Sequence, residues 1–284
     1  SALASFYWSV FTLREEIWQG RDLSGKFAAI RPDYTQPAGF TGLHERTRAD
    51  WGPPVAHVYP TGPSVLLDVR STIADQAEWL RGQAPQHLLS FSANLLHLAR
   101  HCRIHGIAVP SIRSVRSQGE VLSEATRTEC RATWGVEVAD LYSAVETGYI
   151  GLSCPDNPHQ HVQSESALVE ILDEAGRPCT PGEIGRVVVT PLHNFAMPLF
   201  RYELGDLAEV GPPCSCGRTL PVMTRVLGRI RDIIILPSGE RRFPHYGARA
   251  LTPFRQILQH QLVQKSVDAL ELRLVAHEKL GEAQ

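Results

Sequence analysis

The sequence predicts an α/β protein in which a parallel sheet gives way to antiparallel strands. Three observations carry that expectation. Strand-like and helix-like segments alternate from Val65 to Tyr142, the signature of a parallel sheet with crossover helices. Beyond Ala167 the texture changes to short alternating runs joined by turn residues. Two polar clusters, Gln118-Gly119-Glu120 and Ser143 through Glu146, fall just after predicted strands, where open parallel sheets bind their ligands.

Taken in order, Ser5 to Arg31 reads as an amphipathic helix followed by the short apolar strand Phe27-Ala28-Ala29-Ile30. Pro32 to Pro63 is rich in proline and glycine and reads as irregular connections with at most short strands. Thr72 to Gly82 and Asn94 to Cys102 space their apolar residues as helices, with the strand His87 to Phe91 between them. Ile112-Arg113-Ser114-Val115 reads as a strand, Leu122 to Trp134 as a helix, and Val136 to Tyr142 as the next strand. Ala167 to Leu172 and Gly185 to Thr190 read as hairpin strands, with a turn at Asp173-Glu174-Ala175-Gly176. Arg201 to Asp206 reads as a strand turning at Gly205, and Leu270 to Val275 alternates like a half-buried strand.

At 284 residues the chain is long enough for one large domain, or one and part of another. A formal net charge of −2 leaves no electrostatic footprint for nucleic acid or an acidic membrane surface. No apolar run approaches the ~20 residues needed to cross a bilayer. The opening residues lack a basic flank, so a signal peptide is not expected and a cytoplasmic location is. Cysteines in such a chain read as reduced thiols or metal ligands rather than as a disulfide framework.

Several residues carry chemistry. Glu146, in the loop after a buried strand, is a candidate Mg²⁺ ligand, since that ion takes one or two carboxylates plus substrate phosphates. Taken alone, it reads more simply as a helix N-terminal carboxylate beside Thr147-Gly148. Gly119 would let a flat ring lie against the backbone. Arg201 with Asp206, and Arg229 with Asp232, each set a guanidinium and a carboxylate beside a glycine. A carboxylate accepts from vicinal ribose hydroxyls and a guanidinium suits phosphates, although each pair alone also reads as a surface ion pair. Cys214-Ser215-Cys216-Gly217 looks like a metal knuckle. With Cys154 and one histidine it would complete a tetrahedral Cys₃His zinc site, and His161 is preferred to His159 because it opens a strand-like run. Cys102, Cys130 and Cys179 read as packing or surface thiols.

Five motifs, in order, resemble those of the adenylate-forming (AMP-binding) ligases, in the branch of phenylacetate–CoA ligase and the capsular-biosynthesis proteins similar to it. Gly119-Glu120 matches a strand-ending Gly-Glu, and Tyr142, Ser143 and Glu146 match Tyr-Gly-x-x-Glu, with Ser143 where the family usually has glycine. Gly182-Glu183-Ile184-Gly185, Arg201-Tyr202 with Gly205-Asp206, and Gly228-Arg229 with Asp232 supply the other three. The resemblance covers most of Leu88 to Pro244. It implies that Glu146 is the catalytic, Mg²⁺-associated carboxylate and that Gly119, Glu120, Tyr142, Ser143, Asp206 and Arg229 surround the nucleotide, Asp206 on the ribose. It implies that Asp232 is the hinge between a large and a small domain. Relatives in this branch sometimes carry a structural zinc, which supports Cys154, His161, Cys214 and Cys216 as its ligands.

The family's Ser/Thr/Gly-rich phosphate loop and its late catalytic lysine find no match, and neither Lys265 nor Lys279 is assigned that role. The chain is therefore expected to be a ligase trimmed at both ends. Residues 1–231 would be a partial large adenylation domain, a parallel sheet with helices plus an antiparallel β region. Residues 232–284 would be the hinge and the start of a small α+β domain. The implied activity is that of an AMP-forming acid–CoA ligase for an aryl or arylacetic acid, with ATP/AMP, Mg²⁺, CoA and a structural Zn²⁺. Expected partners are a small-molecule carboxylic acid, ATP and CoA, with homodimer formation left open and no nucleic acid or membrane. The alternatives are a catalytically incompetent, zinc-stabilised nucleotide-binding remnant, or transfer from the acyl-adenylate to a non-CoA acceptor in polysaccharide or natural-product biosynthesis.

Overall fold

Strands that are apolar on both faces need cover on both faces, and the first half of the chain is built that way. The computed structural model describes residues 2–35, 44–229, 233–242 and 257–276. Helix α1 (Ala2–Trp18) opens the chain and is followed by β1 (Phe27–Arg31), β2 (Glu45–Arg48), β3 (Ser64–Asp68), α2 (Ile73–Gln83), β4 (His87–Ser90), α3 (Ser92–His105), β5 (Ser114–Gln118), α4 (Glu124–Trp134) and β6 (Val138–Ala144). Five of the strands, in the order β3-β1-β4-β5-β6, pair in parallel, while β2 runs antiparallel along β3. Parallel neighbours require long crossovers, which α2, α3 and α4 supply.

The core of this half joins Ile30, Leu67, Leu88 and Val115 of the strands to Leu80, Leu95 and Leu98 of the helices. Each such side chain contributes roughly 1.5–3 kcal/mol by leaving water. Two helices begin where a hydroxyl satisfies a free backbone N–H: Thr72 accepts from Asp75 and Ser123 from Thr126, each at 3.1 Å. Such caps are worth ~1 kcal/mol apiece.

At β6 the sheet changes character. It pairs in parallel with β5 on one side and antiparallel on the other with β7 (Gly148–Ser153), through a hairpin at Val145-Glu146-Thr147. From there β8 (Gln160–Val162), β9 (Ala167–Leu172), β10 (Ile184–Pro191), β11 (Tyr202–Val210) and β12 (Val222–Arg229) continue the sheet in the order β7-β8-β12-β11-β10-β9. Ile150, Val162, Val187, Val189 and Met223 form the core of this region. Phe11 of α1 packs with Leu141, Tyr149 and Leu152 in a third cluster.

Three local expectations are corrected. The strand expected at Ile112 begins at Ser114, because Ile112 N–H is held in a turn by the Val109 carbonyl. Gly205 does not end a strand: β11 runs through it, and its φ of +79° accommodates a register shift against β10 between Arg186 and Val188. Glu146 lies in a β-hairpin turn and not at a helix N-terminus.

The chain divides into two compact units, Ser1–Val226 and Leu227–Gln284. In the second, β13 (Ile234–Ile235) pairs with β14 (Arg241–Arg242), and β15 (Ile257–Ser266) with β16 (Ala269–Ala276), all antiparallel. Asp232 and Lys279 lie outside the described residues. No described helix is long and apolar enough to cross a membrane.

Candidate functional site

The point where β6 exchanges a parallel for an antiparallel neighbour is where a ligand crevice is expected on such a sheet. A cavity of about 1190 Å³ lies there, between α1 and the sheet. Strand alternation assigns its lining: Arg116 and Gln118 of β5, then Gly119, and Leu141 and Ser143 of β6 face it, with Glu146 and Thr147 at the hairpin. Gly119 has φ +74°, and a Cβ there would approach the Phe91 ring to 3.1 Å, so the residue must stay small. Glu120 is engaged elsewhere, since its carboxylate accepts the Ala93 N–H at 2.8 Å, in the first turn of α3.

Tyr142 sits one residue out of phase with Leu141 and Ser143 and packs against the antiparallel core. Its hydroxyl donates to Asp206 Oδ2 at 2.8 Å, joining β6 to β11 across 64 residues of sequence. Asp206 is 7 % exposed. Arg201, five residues earlier, makes instead a two-pronged surface ion pair with Glu170, at 3.0 and 3.2 Å. Arg229 is the last residue of β12, in the second unit.

The Glu146 carboxylate makes no hydrogen bond or ion pair among the described residues, and the buried Thr147 Oγ1 beside it has no partner. An unpaired carboxylate next to a free hydroxyl oxygen is a donor set that suits a hard cation such as Mg²⁺. The floor of the cavity is charged. Arg21 and Arg116 together clamp Glu15 and Glu16, with N–O distances from 2.5 to 2.7 Å and all four side chains at least nine-tenths buried. Burial alone would raise the Glu15 pKa, but the two guanidiniums outweigh it and hold it at about 2.

A second cluster lies on the antiparallel side. Cys154 follows β7, His161 is on β8, and Cys214 and Cys216 occupy the turn between β11 and β12. Their ligand atoms all lie within 4.8 Å of one another. Tetrahedral zinc at ~2.3 Å from sulfur and ~2.0 Å from nitrogen requires S···S of about 3.8 Å and S···N of about 3.5 Å. Cys154 and Cys214 are 3.8 Å apart, and Cys216 is 3.3 Å from His161 Nε2. The residues fit the ion. Burial also lowers the His161 pKa, keeping the imidazole neutral as a ligand must be. For Cys216, burial opposes ionisation, yet the Arg218 N–H and side chain bring the thiol down to about 7. Cys102 and Cys130 are buried among apolar residues, which pushes their pKa values up to about 11 and about 12.

The curated relatives this chain matches share one description. A phenylacetate–coenzyme A ligase of Thermus thermophilus is 30% identical over 168 residues, 56% of this chain and 38% of that protein. Those of Escherichia coli and Aromatoleum evansii are 28% and 29% identical over 147 and 131 residues. Over the matched residues the chain is similar to these adenylate-forming ligases. It covers 38%, 32% and 29% of the lengths of these three relatives. No protein-family model matches. Among solved structures, 2-hydroxyisobutyryl-CoA ligase in complex with an acyl-AMP aligns over 94% of this chain and 58% of its own, with a TM-score of 0.66 and 20% identity. An anthranilate CoA ligase in complex with anthranoyl-AMP aligns over 98% and 53%, with a TM-score of 0.65 and 15% identity. These share the adenylate-forming fold.

Of the superfamily motif residues, then, Gly119, Ser143 and Glu146 line one cavity, Tyr142 and Asp206 are bonded to each other, and Glu120 caps α3. Motif reading missed Arg116, Thr147 and the Glu15–Glu16–Arg21 cluster. The run Arg14-Glu15-Glu16 does stand out as charge within an apolar helix, but the partner that ties it to the cavity, Arg116, lies 100 residues from Glu16.

Proposed function

We propose that this chain is the nucleotide-facing part of an AMP-forming acid–CoA ligase acting on an aryl or arylacetic acid. The observation that carries the reading is the 2.8 Å bond between Tyr142 and Asp206, which ties two separate superfamily motifs into one place. In this reading residues 1–231 are the partial large domain, and residues 232–284, with Asp232 as hinge, begin the small one. Asp206 accepts from the ribose hydroxyls, held in position by Tyr142. Gly119, Ser143 and Glu120 stand around the adenine, and Arg229 contacts the nucleotide.

The substrate carboxylate attacks the α-phosphorus of ATP and the bond to pyrophosphate breaks; the CoA thiol then attacks the acyl carbon of the adenylate, forming the thioester as the acyl–phosphate bond breaks and AMP and the thiol proton leave. The chain's part is alignment and charge placement. Glu146, with Thr147 Oγ1 beside it, would hold Mg²⁺, which supplies charge neutralisation at the phosphates when bound. Cys154, His161, Cys214 and Cys216 would hold Zn²⁺, which supplies no chemistry and clamps the β7–β8 hairpin to the turn before β12.

The test is pyrophosphate release from ATP and Mg²⁺ with a panel of aryl and arylacetic acids, beside AMP binding by calorimetry. Acid-dependent release that Glu146→Gln abolishes is the expected result. AMP binding with no release under any acid would leave the nucleotide-binding remnant as the surviving description. Consumption of a preformed acyl-adenylate by an amine or hydroxyl acceptor, but not by CoA, would move the second step to a different acceptor.

A further inference from the structure

The floor of the cavity is not what a plain aryl acid needs. Arg116 is 8 % exposed, and its Nη1 is committed to Glu15 and Glu16, yet its Nε has no hydrogen-bond partner. A buried donor left unpaired is destabilising, so a guanidinium lining a cavity in that state points to an acceptor that arrives with the ligand. Arg31, at the end of β1, lines the same cavity, and its side chain makes no hydrogen bond or ion pair among the described residues. Within the buried cluster two carboxylates already balance two guanidiniums, so Arg31 stands outside that balance, with Asp33 the carboxylate that acts on it from the same cavity lining. Burial, with the like charges of Arg116 and Arg48, depresses the Arg31 pKa against the opposing pull of Tyr34 and Asp33, and an incoming anion would add to that pull.

The register places Arg116 deep in the cavity, level with Ala29 and Leu89, while Arg31 lies two residues farther along β1, toward the hairpin. Arg116 lies opposite Ala139, five residues before the end of β6 at Ala144, which is ~16 Å of strand at ~3.3 Å per residue. That span holds an aryl ring between Arg116 and a carboxylate presented near the Glu146 hairpin, with Arg31 two strands across and part-way along it. Tyr149, opposite Ser143, lines the wall on the hairpin side, and Phe27 and Trp51 line the cavity on the far side of Arg116.

We propose that the cavity selects an aromatic acid bearing a second anionic group, a dicarboxylate, whose distal carboxylate is received by Arg31 and by Arg116 Nε. This rests on the reading of the cavity as the acid site of a ligase, and it goes further in naming the substrate's second charge. Its direct test is calorimetric titration, without ATP, of phenylacetate and of 4-carboxyphenylacetate. The dicarboxylate is expected to bind at least about tenfold more tightly, as a charge-assisted contact to the buried Arg116 Nε beside the exposed Arg31 would give. Arg31→Gln should bring the two acids to within about twofold, while Arg116→Lys, which keeps the charge facing Glu15 and Glu16 but removes Nε, should lessen the preference. Should Arg116→Lys fail to fold, the more exposed Arg31→Gln still decides. Equal affinities in the wild-type chain, an undiminished preference in Arg31→Gln, or no binding of either acid would overturn the proposal. Because binding is read without ATP, a preference that persists alongside absent pyrophosphate release would count against adenylation and not against this site.

Discussion

The two halves of the sheet are held together in different ways. The parallel half has helices to bury its strands against, and a polar cluster there, Glu15–Glu16–Arg21–Arg116, is a buried ion network beside the cavity. The antiparallel half has a smaller apolar core and draws three separate segments together at Cys154, His161 and the Cys214–Cys216 turn. Hairpins without crossover helices leave a face with little to pack on, and a four-ligand site is a compact way to fix their ends. The lesson is that the antiparallel half should depend on an ion, while the parallel half depends on burial and paired charge.

That contrast can be attacked directly. The largest effect should come from metal removal: a strong chelator, or Cys216→Ser, is expected to lower stability by more than about 5 kcal/mol, with one zinc per chain found by elemental analysis of untreated protein. A thermal melt unmoved by chelation would erase the distinction between the halves. Next, Arg21→Met leaves two buried carboxylates sharing one guanidinium and should cost about 3–5 kcal/mol in denaturant unfolding. A smaller loss would mean that the network is dispensable and the parallel half rests on its apolar core alone.

A pH experiment separates the two regions further. Asp140 on β6 is buried, which pushes its pKa up to about 6 from 3.8 despite the charge of Arg127 and the bond from Gln160. A raised carboxyl pKa contributes stability that is complete below about pH 4 and is lost as pH rises through about 6. The swing is at most roughly 3 kcal/mol, and Asp140→Asn should remove it. Glu15 acts in the opposite sense, its depressed pKa costing stability only as pH falls from about 4.5 toward 2. Stability of Asp140→Asn that still falls between pH 4 and 6, by the full amount, would place the cause elsewhere. The smallest effect is that of Tyr142→Phe, which deletes one hydrogen bond to Asp206 and should cost ~1 kcal/mol of stability with a several-fold weaker AMP affinity. A loss of stability without any change in AMP binding would make that bond purely structural.

Much of this is legible in the chain itself. Period-3.6 and period-2 patterns locate α2, α3, α4 and β4 to within a few residues, because burial of one stripe or of both strand faces writes itself into the order of apolar residues. The spacing Cys-x-Cys with an upstream Cys and His also marks its cluster, since thiolates and imidazoles converge for few other reasons. Gly205 is legible only as a breaker, because a bulge and a turn make the same demand for positive φ. The hairpin at Glu146 reads as a helix start for a similar reason: a carboxylate beside Thr and Gly suits either.

Local order along the chain thus dictated the elements, the motif resemblance and the identities of the polar residues worth watching. Folding decided which of them share a space: Glu16 and Arg116 reach one another across 100 residues, and Tyr142 finds Asp206 across 64. Such pairings follow from sheet order and register, which depend on how whole strands bury against distant partners. No short window of sequence carries that information.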